Sequence, residues 1–368
     1  MQQVAEYKKD AASSKVEVCA ARLPMPFGTH HSKLMLLQYG NDAGLRVVIH
    51  TANLIQQDWG RKTQGVFLSP LCRPLAEPVG TSASATNFKT ELVQYLSQYH
   101  LSAVDEWVRV VQRHDFSQLN NVSLVGSIPG RHTGAEREAW GHLRLRNLLL
   151  SGRKAAVGGN HGSTSTVVAQ FSSIGSLGPA PSNWLTAEFL DSLAALPKDQ
   201  AAVPRPKLSL IYPTVENVRN SLEGYAAGGS LPYSRQTAQK QPYLQPLLHQ
   251  WKSERRARSR ASPHVKSYAR IVAPTKDEGT EEGLLWFLLT SANLSKAAWG
   301  ALEKKQSQLC IRSYELGVLL WSSAEALLPL EMLPYDYPLT PYASADQPWL
   351  VDVDYGNNLD IFGCKWPK

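Results

Sequence analysis

One ten-residue frame occurs twice in this chain. Residues 51–60 read TANLIQQDWG and residues 291–300 read SANLSKAAWG, a gap-free (T/S)-A-N-L-x4-W-G. Each copy follows a short apolar run, LRVVIH (45–50) and LLWFLL (284–289). Such runs, bounded by turn-forming residues, predict buried strands that end at the Asn. Upstream of each copy stands an H-x-K: His31-Ser32-Lys33 before the first, His264-Val265-Lys266 before the second. A single H-x-K carries no information. Two, each in register with the same Asn motif, predict two related units. Duplication of a purely structural unit explains repeated apolar positions, but not why the polar positions agree.

The flanks LMLL (34–37) and YARIV (268–272) read as strands. In a strand, His and Lys two positions apart share a face, and an amide then arrives from a neighbouring strand end. That edge is where α/β sheets bind ligands. Helices are predicted over 91–112, 136–150 and 183–195, and exposed loops over 158–164 and 196–207. A new apolar run begins at Val122, which puts a division at 117–121. The expected fold class is α/β: two related halves, residues 1–120 and 121–368, each a mostly mixed β-sheet flanked by helices, with the active site at their interface.

The 368 residues suffice for a sizeable core without disulfide or metal staples. With 43% hydrophobic and 19% charged residues, the chain is globular rather than disordered. A net charge of +7 favours an anionic partner such as nucleic acid, although solubility alone would also account for it. Cys19, Cys72, Cys310 and Cys364 are widely spaced with no CxxC, which excludes a zinc ribbon and speaks against a disulfide framework. The opening MQQVAEYKKDAASSK has no apolar signal core. No run approaches the about 20 apolar residues that span a bilayer. A monomer in a reducing compartment, with no membrane association, is the expectation.

Two His, two Lys and two Asn suit an anionic tetrahedral centre. Lysines neutralise phosphate oxygens as point charges and amides donate to the same oxygens. One imidazole can attack phosphorus, while the other protonates the leaving group and then activates water. This chemistry calls for no metal or cofactor; Lys is not a zinc ligand, and His30-His31 lacks helical ligand spacing. Taken singly, each residue has a plainer reading. A lone His on a strand is more often structural, Lys an edge charge, Asn a turn residue, and the Trp-Gly pairs core and turn.

These residues resemble the phospholipase D superfamily, whose members carry two H-x-K motifs, one per half. Most members continue H-x-K-x4-D; here Gln38 stands where that Asp would be, and no Asp follows Lys266 at that spacing. The departure is similar to the tyrosyl-DNA phosphodiesterase branch, in which Asn takes the role of the Asp. FGTHHSK (27–33), GLRVVIHTANLI (44–55), DWGRKTQG (58–65), FSSIGSLG (171–178), LIYPTVENVRNSLEGYAAGGSLPYS (210–234), LLTSANLSKAAWGALEK (288–304) and QLCIRSYELGVLL (308–320) resemble blocks of its type-one members.

The resemblance implies His31 as the nucleophile, His264 as general acid and then base, and Lys33, Lys266, Asn53 and Asn293 as the phosphate holders. Gln64 and Glu315 would orient the two histidines, each across to the other half. It further implies that Phe27 stacks on a base, that Ser173, Ser176 and Ser295 contact DNA phosphates, and that Ser230, Pro232, Lys240 and Trp349 line a groove for DNA or the tyrosyl peptide. Phe27 reads equally well as core, and GGSLP (228–232) as a turn. The basic run KSERRARSR (252–260) contacts DNA, forms an import signal, or is a solvated loop.

The implied partners are DNA 3′ ends, single-stranded or duplex, carrying a tyrosyl peptide, as in topoisomerase I–DNA adducts. The implied location is the nucleus, with cytoplasm and mitochondrion as further sites. The chain differs from such members in having few residues before Phe27, so a first half short of its outer strands is expected: a variant isoform, a partial gene product or a truncated form with an unpaired sheet edge. Two other readings stay open. A broader phospholipase D-type hydrolase is disfavoured for lipids by the missing Asp, and a non-catalytic DNA-end binder would keep the charge but not the geometry.

Overall fold

The structure is a computed structural model describing residues 17–40, 43–76, 87–151, 165–196, 204–272, 282–323 and 326–366. The expected loop at 158–164, residues 197–203 of the loop at 196–207, and residues 1–16 lie outside the described residues. In chain order come β1 (Leu34–Tyr39), β2 (Gly44–His50), α1 (Gln56–Gly60), β3 (Val66–Leu68), α2 (Asn87–Ser97) and α3 (Ser102–Gln112). There follow β4 (Val122–Ser127), β5 (Gly130–Thr133), α4 (Gly141–Ser151), β6 (Ser165–Gln170), α5 (Leu190–Leu193), β7 (Lys207–Ile211), α6 (Val215–Arg219), α7 (Arg235–Gln239) and β8 (Leu248–His249). The chain closes with β9 (Ser267–Val272), β10 (Gly283–Thr290), α8 (Lys296–Trp299), β11 (Ala301–Glu303), β12 (Gln308–Ile311) and β13 (Glu315–Trp321).

The sequence repeat is a structural repeat. In the β1–β2 hairpin Leu34 faces Ile49, and in β9–β10 Ser267 faces Leu289. The Lys33 carbonyl accepts from His50 N at 3.2 Å, as the Lys266 carbonyl accepts from Thr290 N at 3.0 Å. Asn53 and Asn293 follow at the same offset. β3 and β13 then pair with β2 and β10 in matching register, so β1-β2-β3 corresponds to β9-β10-β13. The first trio is an antiparallel three-stranded sheet; the second lies within a seven-stranded sheet ordered β4-β13-β10-β9-β6-β7-β8. This larger sheet is mixed, because β6, β7 and β8 run parallel.

β9 and β10 are buried at every position; β10 is an almost continuous apolar run, while β9 also buries Arg270, which donates to Ser165 Oγ and the Ala194 carbonyl. Trp286 and Leu288 face a core with Trp184, Trp299 and Trp349; Phe287 and Leu289 face the opposite core with Trp251 and Tyr335. A third core joins the halves: Leu45, Val47 and Ile49 of β2 pack with Phe88 and Leu92 of α2 and with Leu316 and Val318 of β13.

Several expectations change. Helix 91–112 is two helices, broken at His100, whose φ of +52 no α-helix accommodates. The stretch 136–150 opens with a 3-10 turn (Gly134–Glu138), and α4 starts only at Gly141, whose φ is +59. The stretch 183–195 is a π-turn (Leu185–Phe189) running into α5. The H-x-K triplets sit just before β1 and β9 rather than within them. Finally, the paired Trp-Gly positions diverge: Trp299 is 1% exposed, Trp59 is 56% exposed.

Candidate active site

Each histidine is held by the other half. The His31 amide donates to the Tyr314 carbonyl at 3.0 Å and the His264 amide to the Thr63 carbonyl at 2.9 Å. Those bonds put Glu315 and Gln64, each next in sequence, against the two rings. Glu315 Oε2 lies 2.9 Å from His31 Nδ1, and Gln64 Nε2 lies 3.3 Å from His264 Nδ1. The first residue of the repeated frame holds each orienting group in turn. Thr51 Oγ1 donates to Gln64 Oε1 at 2.7 Å, and Ser291 Oγ to Glu315 Oε2 at 2.5 Å. The same two hydroxyls accept from Gly65 N at 2.9 Å and Leu316 N at 3.0 Å. This explains why the frame begins with Thr or Ser: the hydroxyl closes a chain from strand backbone to imidazole. With both Nδ1 atoms engaged, Nε2 is the reactive nitrogen of each ring.

The lysines repeat the pattern. Lys33 Nζ donates to the His31 carbonyl at 2.6 Å and Lys266 Nζ to the His264 carbonyl at 2.5 Å, so each ammonium curls back over its own histidine. Lys266 is 0% exposed. Burial and the neighbouring Lys33 push its ammonium well below the usual lysine range, against the pull of Glu315 and Asp58. Burial also pushes Lys33 down to about 8, with the same two carboxylates resisting. Burial, Lys266, Lys33, His31 and Lys62 all push the His264 imidazolium down. Glu315 moves the other way overall: burial raises it, but His31, the Ser291 hydroxyl and Lys33 outweigh burial and leave it below its ordinary value. Two imidazoles and two lysines lie within mutual electrostatic reach, and an anion placed among them would relieve the crowding of positive charge.

Asn293 Oδ1 accepts from Ser172 N at 3.0 Å and Ser172 Oγ at 3.2 Å, leaving its NH2 to donate elsewhere. Asn53 is exposed, its backbone clamped between Asp58 Oδ2 at 2.7 Å and Trp59 Nε1 at 2.9 Å. Phe27 is 91% exposed with φ +59, so it is not core. Ser173 Oγ donates to the Pro232 carbonyl at 3.1 Å, which joins the serine segment to the turn carrying Ser230. Ser176 is exposed, and Ser295 Oγ caps α8 by accepting from Ala298 N at 3.1 Å. Lys240 is exposed at the end of α7. Trp349 is corrected: it is 0% exposed, packs on Tyr225, Tyr355 and Trp366, and donates to the Gly228 carbonyl at 3.2 Å, so it supports that turn from beneath and lines no groove.

Of the basic run, Lys252, Arg255, Arg256, Arg258 and Arg260 are exposed. Arg255, Arg256 and Arg258 line a cleft of about 760 Å³ with Lys62 and Trp59. Sequence reasoning missed Asp58. It is 0% exposed, and its Oδ2 lies 3.4 Å from His264 Nδ1. A charged residue inside the repeated frame, where the other copy has Ala298, was the available signal. Among the described residues, no group of three or more His, Cys, Asp or Glu could hold a metal ion, and no helix is long and apolar enough to cross a membrane.

A family model described as tyrosyl-DNA phosphodiesterase matches residues 1–343. The chain is 41% identical over 365 residues to tyrosyl-DNA phosphodiesterase 1 of Drosophila melanogaster, covering 93% of this chain and 60% of that protein. It is 38% identical over 358 residues to a probable tyrosyl-DNA phosphodiesterase of Caenorhabditis elegans, covering 95% of this chain and 74% of that one. Its fold is similar to the crystal structure of yeast tyrosyl-DNA phosphodiesterase, with a TM-score of 0.68 and 21% identity over 93% of this chain and 82% of that one. The chain thus spans less than two thirds of the length of the fruit-fly relative.

Proposed function

The chain belongs to the tyrosyl-DNA phosphodiesterase family, and from that premise we propose that it is a DNA-repair phosphodiester hydrolase that releases a tyrosyl peptide from a DNA 3′ end. The observation that carries the proposal is the reciprocal clamp. Each imidazole is fixed through Nδ1 by the opposite half, beside a lysine of its own that bonds the histidine's carbonyl.

His31 Nε2 attacks the 3′ phosphorus. Lys33, Lys266, Asn53 and Asn293 hold the non-bridging oxygens, where negative charge concentrates in the transition state. His264 gives its proton to the tyrosyl oxygen as the P–O bond breaks, leaving the DNA as a phosphohistidine on His31. His264, now neutral, takes a proton from water, whose oxygen displaces the imidazole and leaves a 3′ phosphate. Glu315, 2.9 Å from Nδ1, would offset the positive charge that a phosphohistidine places on the ring. The substrates are adducts such as those of topoisomerase I, and the enzyme works as a monomer in the nucleus, its halves dividing near residue 120. Exposed Phe27, stacked on a base, would contribute about 1–3 kcal/mol to DNA binding, with Ser173, Ser176 and Ser295 toward the phosphates and Ser230, Pro232 and Lys240 along the groove.

The test is incubation of the chain with a 3′-phosphotyrosyl oligonucleotide. Release of tyrosine and a 3′-phosphate oligonucleotide is expected. Salt-sensitive binding without turnover would leave a non-catalytic end binder.

A further inference from the structure

The two histidines differ in the groups that orient them. His31 has a carboxylate at Nδ1, Glu315, whereas the matching position for His264 holds the neutral amide of Gln64. The repeated frame carries the opposite difference: Asp58 in the first copy stands where the second has Ala298. Each half therefore supplies one carboxylate and each histidine faces one. His31 faces Glu315 from strand β13, and His264 faces Asp58 from helix α1, with Oδ2 at 3.4 Å from Nδ1. We propose that Asp58 is the counter-charge of His264: a positioning residue that keeps this ring protonated until the leaving group takes its proton. The proposal rests on the phosphohistidine reading above.

Three observations support it. Asp58 is fully buried and its Oδ1 has no hydrogen-bond partner, so its negative charge is costly without a nearby cation. The positive groups facing His264 are Lys266 from its own triplet, Lys33 and His31 from the other triplet, and Lys62 from the segment before β3; each disfavours a proton on His264, as burial does. Lys62 is already answered by Glu223 at 2.6 Å. A general acid in that setting needs a carboxylate of its own, and Gln64 cannot be one. The ring keeps its Nδ1 proton when Nε2 gives one up, so Asp58 is the group that can accept from Nδ1–H in both states, while Gln64, held by Thr51, packs against the same nitrogen at 3.3 Å.

The balance of the step is simple. The Nε2 proton of charged His264 passes to the tyrosyl oxygen while the His31–phosphorus bond forms and the phosphorus–oxygen bond breaks. Asp58 keeps its charge throughout, and the water proton later restores the His264 imidazolium.

Asp58→Asn separates this role from a structural one, because the Asn amide oxygen can still accept from the Asn53 amide. Two measurements on the full chain decide. The first compares release of tyrosine with release of p-nitrophenol, a better leaving group, from matched 3′-phosphate esters. D58N should lose about tenfold or more with the tyrosyl ester and under about threefold with the p-nitrophenyl ester. The retained p-nitrophenyl turnover also shows a folded variant. Equal losses, or no loss, overturn the proposal. The second follows the ring nitrogens of His264 by 15N NMR during a pH titration and needs no turnover. The midpoint should fall by about one unit or more in D58N; a ring that titrates alike in both proteins, or stays neutral in both, overturns the role of Asp58. A wild-type chain that releases no tyrosine defeats the hydrolase reading instead, and the titration still judges Asp58.

Discussion

Lys266 is fully buried, and its ammonium donates to the His264 carbonyl. Burying that charge destabilises the fold, and the return is an anion site. Lys266→Met should therefore raise stability by about 1 kcal/mol or more while reducing turnover by at least about a hundredfold, read from thermal melts beside a tyrosine-release assay. Glu315 predicts a pH effect of definite sign. Its carboxyl lies below the ordinary value of 4.5, so the stability it contributes is present above that value and disappears as pH falls through its lowered folded-state value. The gap in melting temperature between wild type and Glu315→Gln should be wide at neutral pH and close in acid. Lys33, pushed down to about 8, should make kcat/KM fall as pH rises through that value, since the neutral amine no longer attracts phosphate. At this scale the sequence was legible where polar identity repeats, as at His31 and His264, Lys33 and Lys266, and Asn53 and Asn293. Asp58 was hidden because it is the position where the copies differ, and Trp349 was misread because burial beneath a turn leaves no mark on the residues around it.

At the scale of elements, the strands were legible because β2 and β10 are short, mainly apolar runs closed by turn formers, and less cleanly at β9, where Ser267 and Arg270 interrupt the run. The helices were less so. Apolar spacing persists across 98–101, but His100 at φ +52 breaks it, and only the packing of α2 against α3 and β4 selects the break. The turn ending at Ser230 is set by one close approach: a Cβ at Gly228 would overlap the Trp349 ring. Gly228→Ala should destabilise the protein by about 1–3 kcal/mol in chemical denaturation, through overpacking rather than lost contacts.

For the molecule as a whole, the site exists only where the halves meet. The segment at Thr29–His31 is bonded to Tyr314, the segment at Thr63 is bonded to Ser262 and His264, and one core takes side chains from β2, α2 and β13 alike. Unfolding should be one transition, coincident by tryptophan fluorescence and far-UV circular dichroism; two separated transitions would mean that the halves stand alone. The shared clamp also makes the chemistry divisible by mutation, because each half owns one histidine. The most direct measurement uses His264→Asn and a 3′-phosphotyrosyl oligonucleotide. A covalent protein–DNA adduct should accumulate, map to His31 by mass spectrometry, and vanish when His31→Ala is added. An adduct that persists without His31 would contradict the assignment of nucleophile and acid.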